Sequence, residues 1–189
     1  MTPWIIGFDL SLSAPAAVAL PLDWRPGDWK RVKAWAGSPK KPENQDDLAG
    51  HAERYIEIAG WASDCICELG TKPAKPGAVR AYVESYGFSK NNANASRIME
   101  SGGHVRAHLY QRYKIVLHGA ASSAARKLSL GFNPRKPQYD AKVVVQDTVF
   151  NRFKAPKRWT EDQCDAFLIA QFGLSEEGGK ILAIARRVT

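Results

Sequence analysis

In the first third of the chain, apolar residues come in short blocks. Residues 4–10 (WIIGFDL) form a nearly unbroken apolar run ending beside an acid, the pattern of a strand buried on both faces. A second small run occupies 16–20, after Pro15, and a third, alternating run occupies 31–36. Their close spacing predicts an antiparallel three-strand meander. Residues 40–43 are polar and contain proline, hence a loop. From 44 to 69 the period becomes helical. Leu48, Ala52, Tyr55, Ala59, Ala62, Ile66 and Leu69 follow alternating steps of four and three, one stripe that faces either the protein's own sheet or a second copy. Gly70 ends this helix.

A proline-containing loop then leads to residues 79–84 (VRAYVE), another strand ending in an acid. A second helix is expected over 94–113, softened at Gly102-Gly103, followed by a strand over 114–117. Residues 119–137 are rich in small, basic, Gly and Pro residues with weak periodicity, and they are expected to form a mobile loop. Residues 139–153 read as a helix with Asp140 early in it. Thr160 is placed to N-cap a last helix over 161–172, whose first turn is acidic. The order predicts one α/β domain over residues 1–189: a mixed sheet, meander plus parallel strands, flanked by helices. The chain's 189 residues suit one such core and hardly two.

Charge changes this picture more than composition does. The chain has 27 Lys and Arg against 19 Asp and Glu. Residues 105–158 hold 12 of those basic residues and only two acids, Asp140 and Asp147, so the rest of the chain is slightly acidic. A basic third of this kind solubilises the protein at the least, and it suits a face for a polyanion such as nucleic acid. No apolar run approaches the roughly 20 residues needed to span a bilayer, so no membrane association is expected. The N-terminus lacks the basic region of a secretory signal, and Cys65, Cys67 and Cys164 are an odd number. Reduced thiols in a cytoplasm, of a bacterial cell or a phage-infected host, are therefore expected. Cys65-x-Cys67 lacks a second Cys/His pair at zinc-finger spacing, and His104 and His108 lack the glutamate of a zincin motif. No P-loop is present, and Trp24, Trp29 and Trp35 read as packing residues.

The candidate chemistry lies in carboxylates. Asp9 and Glu84 end two apolar strands, where an acid is costly to bury without a partner. They stand side by side if those strands are neighbours. Asp162 and Asp165, three apart, share one helical face. Alone, that pair reads equally as a solvated helix start. Together, four converging acids need cations between them, and hard oxygen ligands without histidine suit Mg²⁺ or Mn²⁺. A two-metal site of that kind serves phosphodiester hydrolysis.

Gly7-Phe8-Asp9, Val83-Glu84 followed by Phe88 and Asn91, and residues 162–170 (DQCDAFLIA) resemble, in order and separation, the acidic motifs of RuvC-type Holliday-junction resolvases. Residues 141–149 (AKVVVQDTV) resemble that family's helix carrying a functional lysine, here Lys142. The resemblance covers most of the chain, from 4 to 172. It implies a ribonuclease H-like fold and a homodimer that nicks two opposed strands of a four-way junction. By it, Asp9, Glu84, Asp162 and Asp165 hold the metals and Lys142 stabilises charge at the scissile phosphate. An aromatic after the second acid stacks on bases in the family. Phe88 is the first choice and Tyr86 the second, with a core role for Phe88 equally open. The segment after Asp9, LSLSAP, departs from the family's Gly-rich basic turn. Arg126, Lys127, Arg135 and Lys136 are phosphate-contact candidates on charge alone. The same fold also serves nucleases of other branched DNA or RNA–DNA hybrids, and a junction binder without catalysis is the alternative of another class.

Overall fold

The computed structural model describes residues 3–44, 46–70, 78–85, 95–132 and 140–188, with residues 179–188 described as backbone alone. The apolar N-terminal run forms β1 (Trp4–Asp9), the middle strand of a five-stranded sheet. β2 (Ala16–Pro21) and β3 (Lys33–Ala36) follow it as an antiparallel meander. β4 (Val79–Glu84) adds to the other side of β1 in parallel, and β5 (Leu117–Ala120) adds to β4 in parallel, giving the order β3-β2-β1-β4-β5. The mixed sheet expected from the sequence is thus the one observed. β1 reads as unbroken apolar because both its faces are covered.

α1 (Leu48–Cys67) and α2 (Ala95–Tyr113) cover one face. Ile6, Phe8, Ala17 and Ala19 of the sheet pack there against Ile58, Ala62, Ile66, Val105 and Leu109. Asp47 caps α1 by accepting from the Gly50 amide at 2.8 Å. The α1 stripe is buried only from Tyr55 onward; Leu48 is 81% exposed and Ile56 64%, with Ala52 exposed between them. α3 (Ser122–Leu130), α4 (Ala141–Asn151) and α5 (Glu161–Val188) cover the other face. Val18 and Leu20 meet Ala125, Val145, Val149 and Phe167 in that second core. Among the described residues no helix is long and apolar enough to cross a membrane.

Four expectations are corrected. The loop expected over 119–137 contains α3: its buried positions are Ala125 and Ser129, too small to register as an apolar period. Gly131, at φ 83°, ends that helix in the left-handed conformation. α5 runs on past residue 172 because its glycine at 173 serves packing: a Cβ there would lie 2.5 Å from the Tyr82 ring. α2 is continuous through Gly102-Gly103, with Gly102 buried. β5 begins at Leu117, later than expected, because Lys114 takes a left-handed φ of 58° at the end of α2 and Ile115 turns into the core.

Candidate metal and nucleic-acid site

The parallel pairing of β1 with β4 matches Phe8 with Val83, which places Asp9 and Glu84 at the same end of adjacent strands. β5 continues the row, with Ala120 opposite Glu84. Asp162 and Asp165 are brought to this edge by the start of α5. A reciprocal capping box sets that start: Thr160 Oγ1 accepts from the Gln163 amide at 3.2 Å, and Gln163 Oε1 accepts from the Thr160 amide at 2.9 Å. Below the first turn, Phe167 is wholly buried among Trp24, Trp29, Phe153 and Trp159, with ring centroids 5.3–5.8 Å away. Trp24 and Trp29 are packing residues, as expected from the sequence, and Trp159 joins them.

α5 also lies directly on β1. A Cβ on Gly7 would fall 2.3 Å from the Ala166 carbonyl oxygen, so only glycine permits this approach. The consequence is electrostatic. Burial, and then the carboxylates of Asp165, Glu84 and Asp162, push the Asp9 carboxyl up to about 8, while Arg126 opposes the rise. Asp165 is raised chiefly by burial and lowered by Arg126. Asp162 is raised by burial and by Glu161, against Lys142. The other three acids named from the sequence therefore all act on Asp9, which ties the four into one electrostatic cluster.

Two cations attend it. Lys142, in the first turn of α4, pairs its ammonium with Glu161 Oε1, and Asp162 and Asp165 add to its attraction. Asp140 caps α4, accepting from the amides of Lys142 at 3.0 Å and Val143 at 3.5 Å, and so positions that lysine. Arg126 of α3 donates from Nη2 to Asp165 Oδ1 at 3.3 Å. Sequence reading made Arg126 a phosphate contact; the structure sets it against a carboxylate. Lys127, one residue on, is exposed. Glu161 was missed, although its acid in the first turn beside a family-like lysine helix was visible. Tyr86, Phe88, Arg135 and Lys136 lie outside the described residues.

Glu84, Arg126 and Asp165 line one small cavity of about 10 Å³ with Ser122, Ala125, Leu168 and Ile169. Among the described residues no three His, Cys, Asp or Glu side chains stand close enough to ligate one ion. The donor set nevertheless fits a hard divalent cation. It is all carboxylate oxygen, partly buried, and its mutual repulsion is relieved by cations.

No family model matches the chain, and no curated protein matches it. Solved structures do. Thermus thermophilus RuvC superposes with a TM-score of 0.62 at 13% identity, covering 93% of this chain and 96% of that one. T. thermophilus RuvC in complex with a Holliday junction substrate superposes at 0.60, also at 13% identity, covering 89% and 90%. The five-stranded mixed sheet with helices on both faces is thus the ribonuclease H-like fold of RuvC.

Proposed function

We propose that the chain is a metal-dependent, structure-selective endodeoxyribonuclease that resolves four-way DNA junctions by paired symmetric nicks. The observation that carries this reading is the convergence of Asp9, Glu84, Asp162 and Asp165, from β1, β4 and α5, on one sheet edge beside Lys142. The RuvC-like fold and its relative bound to a junction supply the substrate class. The four acids would hold Mg²⁺ or Mn²⁺, which would supply activation of the attacking water and neutralisation of the leaving 3′ oxygen. The chain's own residues do the rest. Asp9 gives up its proton before it can serve as a ligand. Glu161 and Asp140 hold Lys142 where its ammonium meets a scissile phosphate. The basic residues of 105–158 neutralise the DNA backbone around that acidic pocket.

Paired nicks need two such sites, and a homodimer provides them. The exposed Leu48, Ala52 and Ile56 on α1 support it, because an apolar stripe left in water invites a partner. The setting proposed is cytoplasmic. Phe88, then Tyr86, is the proposed base-stacking residue, with Lys127, Arg135 and Lys136 on phosphates.

The test is cleavage of a labelled four-way junction with duplex, flap and RNA–DNA hybrid as competitors, with and without Mg²⁺ or Mn²⁺. Paired nicks in opposed strands, dependent on metal and lost in Asp9→Asn, are expected. Metal-dependent cutting of another substrate would keep the site and overturn the junction. Tight junction binding without cutting would leave a non-catalytic binder.

A further inference from the structure

Resting on the metal-site reading above, we propose that Arg126 is the built-in counter-cation of the carboxylate cluster, and that a divalent ion loads by displacing its guanidinium from Asp165. Three observations converge on this. The Arg126 Nη2 to Asp165 Oδ1 contact is 3.3 Å, and both side chains are about four-fifths shielded, at 19% and 21% exposure. Arg126 Nε is buried with no hydrogen-bond partner, so the guanidinium sits in the cluster at a cost and not in its best hydrogen-bonding position. The cavity it shares with Glu84 and Asp165 measures about 10 Å³.

That last figure favours exchange over filling. A single water needs about 10–15 Å³ of such space. Mg²⁺ demands near-octahedral coordination and keeps several waters. With the guanidinium in place, the sheltered space between Glu84 and Asp165 is therefore no more than one water's, less than a hydrated ion occupies. Arg126 is carried by α3, a short helix of nine residues closed by a left-handed glycine, and its neighbour Lys127 is already exposed. Release of the side chain moves a delocalised, permanently charged fork out to the mouth of the site, where a phosphate would lie. Ion loading and phosphate capture then become linked: the ion that displaces Arg126 frees one cation for the substrate. Lys142 differs in kind, since its partner Glu161 is outside the set of four acids.

The experiment pairs Mn²⁺ affinity by calorimetry with ¹⁵N spectra of the arginine side chains during Mg²⁺ titration. It uses the full-length wild type, Arg126→Met, Arg126→Lys and Asp9→Asn. The expected result is roughly fivefold tighter Mn²⁺ binding in Arg126→Met, the scale of one partly screened ion pair. Arg126→Lys, which keeps the charge but loses the fork, is expected to fall between it and wild type. The Arg126 Nε–H resonance, assigned by its absence in both Arg126 variants, is expected to shift on Mg²⁺ addition and gain solvent exchange. Equal or weaker Mn²⁺ binding in a folded Arg126→Met, with that resonance unmoved in the wild type, overturns the displacement while leaving an Asp9-dependent metal site standing. Absence of ion binding in both wild type and Arg126→Met overturns the metal reading and this proposal with it. An affinity of Arg126→Lys equal to wild type, with an unmoved resonance, reduces Arg126 to simple charge repulsion and also overturns it.

Discussion

Gly7 of β1 and Ala166 of α5 are in backbone contact: a Cβ at Gly7 would lie 2.3 Å from the Ala166 carbonyl oxygen and 2.4 Å from the Ala170 amide nitrogen. Two residues after Gly7 comes Asp9, and one residue before Ala166 comes Asp165. The crossing that needs glycine is therefore the crossing that seats two of the four acids together. Gly7→Ala must push the helix off the strand. A loss of about 3 kcal/mol is expected, on the order of 10 °C in Tm for a chain this size. Thermal unfolding measures it. If cleavage per folded molecule also falls, α5 positions the acids; unchanged cleavage would deny that link.

Asp9 sets the pH behaviour. Its native carboxyl titrates at about 8 against 3.8 unfolded, so the folded state holds a proton that the unfolded chain releases. Stability from this group is full below 3.8 and is lost as pH rises through about 8. Metal-free protein should therefore weaken across that window, by at most about 1.4 kcal/mol per pH unit. Asp9→Asn removes the titration and should flatten the curve, making the variant the more stable protein at pH 8. Urea unfolding at pH 5 and pH 8 checks the sign. Divalent ions compete with the same proton, so their affinity in the wild type should rise with pH up to about 8.

Much of this was legible in residue order. Asp9 and Glu84 stood out because acids end two largely apolar strands, and the structure makes those strands neighbours. Asp162 and Asp165 followed from helical spacing after a capping threonine. The long-range pairings were not legible. Nothing in the run AARKLSL states that Arg126 meets a carboxylate, because that depends on α3 packing against α5 with buried Ala125 and Ser129. Glycine misled at 102–103, where the helix continues with Gly102 buried. The last helix also continues past 172, where the missing side chain of Gly173 admits the Tyr82 ring. Lys142 came from family likeness; its tether to Glu161 came only from the fold.

Lys142 gives a prediction that separates stability from chemistry. Its side chain is 64% exposed, so its pair with Glu161 is worth less than about 1 kcal/mol to folding. Lys142→Met should leave Tm nearly unchanged. On the proposed function it should slow junction cleavage by at least about a hundredfold, the scale of one lost charge at a developing anion. Glu161→Gln removes the tether but not the ammonium, and should cost far less. Single-turnover cleavage measures both variants. A hundredfold loss in Glu161→Gln as well would make the tether, not the free ammonium, the essential feature.

Phe167 tests whether the aromatic cluster anchors the site. It is fully buried two residues after Asp165, edge-on to Trp24 at 5.7 Å and to Phe153 at 5.3 Å. Phe167→Ala opens a cavity under the first turns of α5 and should cost about 4 kcal/mol. Phe167→Leu keeps most of the volume and should cost less than half of that. Neither change touches an acid, so any loss of Mn²⁺ affinity must come through the placement of Asp162 and Asp165. Denaturant unfolding ranks the stabilities, and calorimetry at a temperature where both variants remain folded reads the metal site. Mn²⁺ affinity that falls in step with stability identifies the cluster as the support of the carboxylates. Unchanged affinity in a destabilised Phe167→Ala would show that the capping box of Thr160 and Gln163 holds the helix start without it.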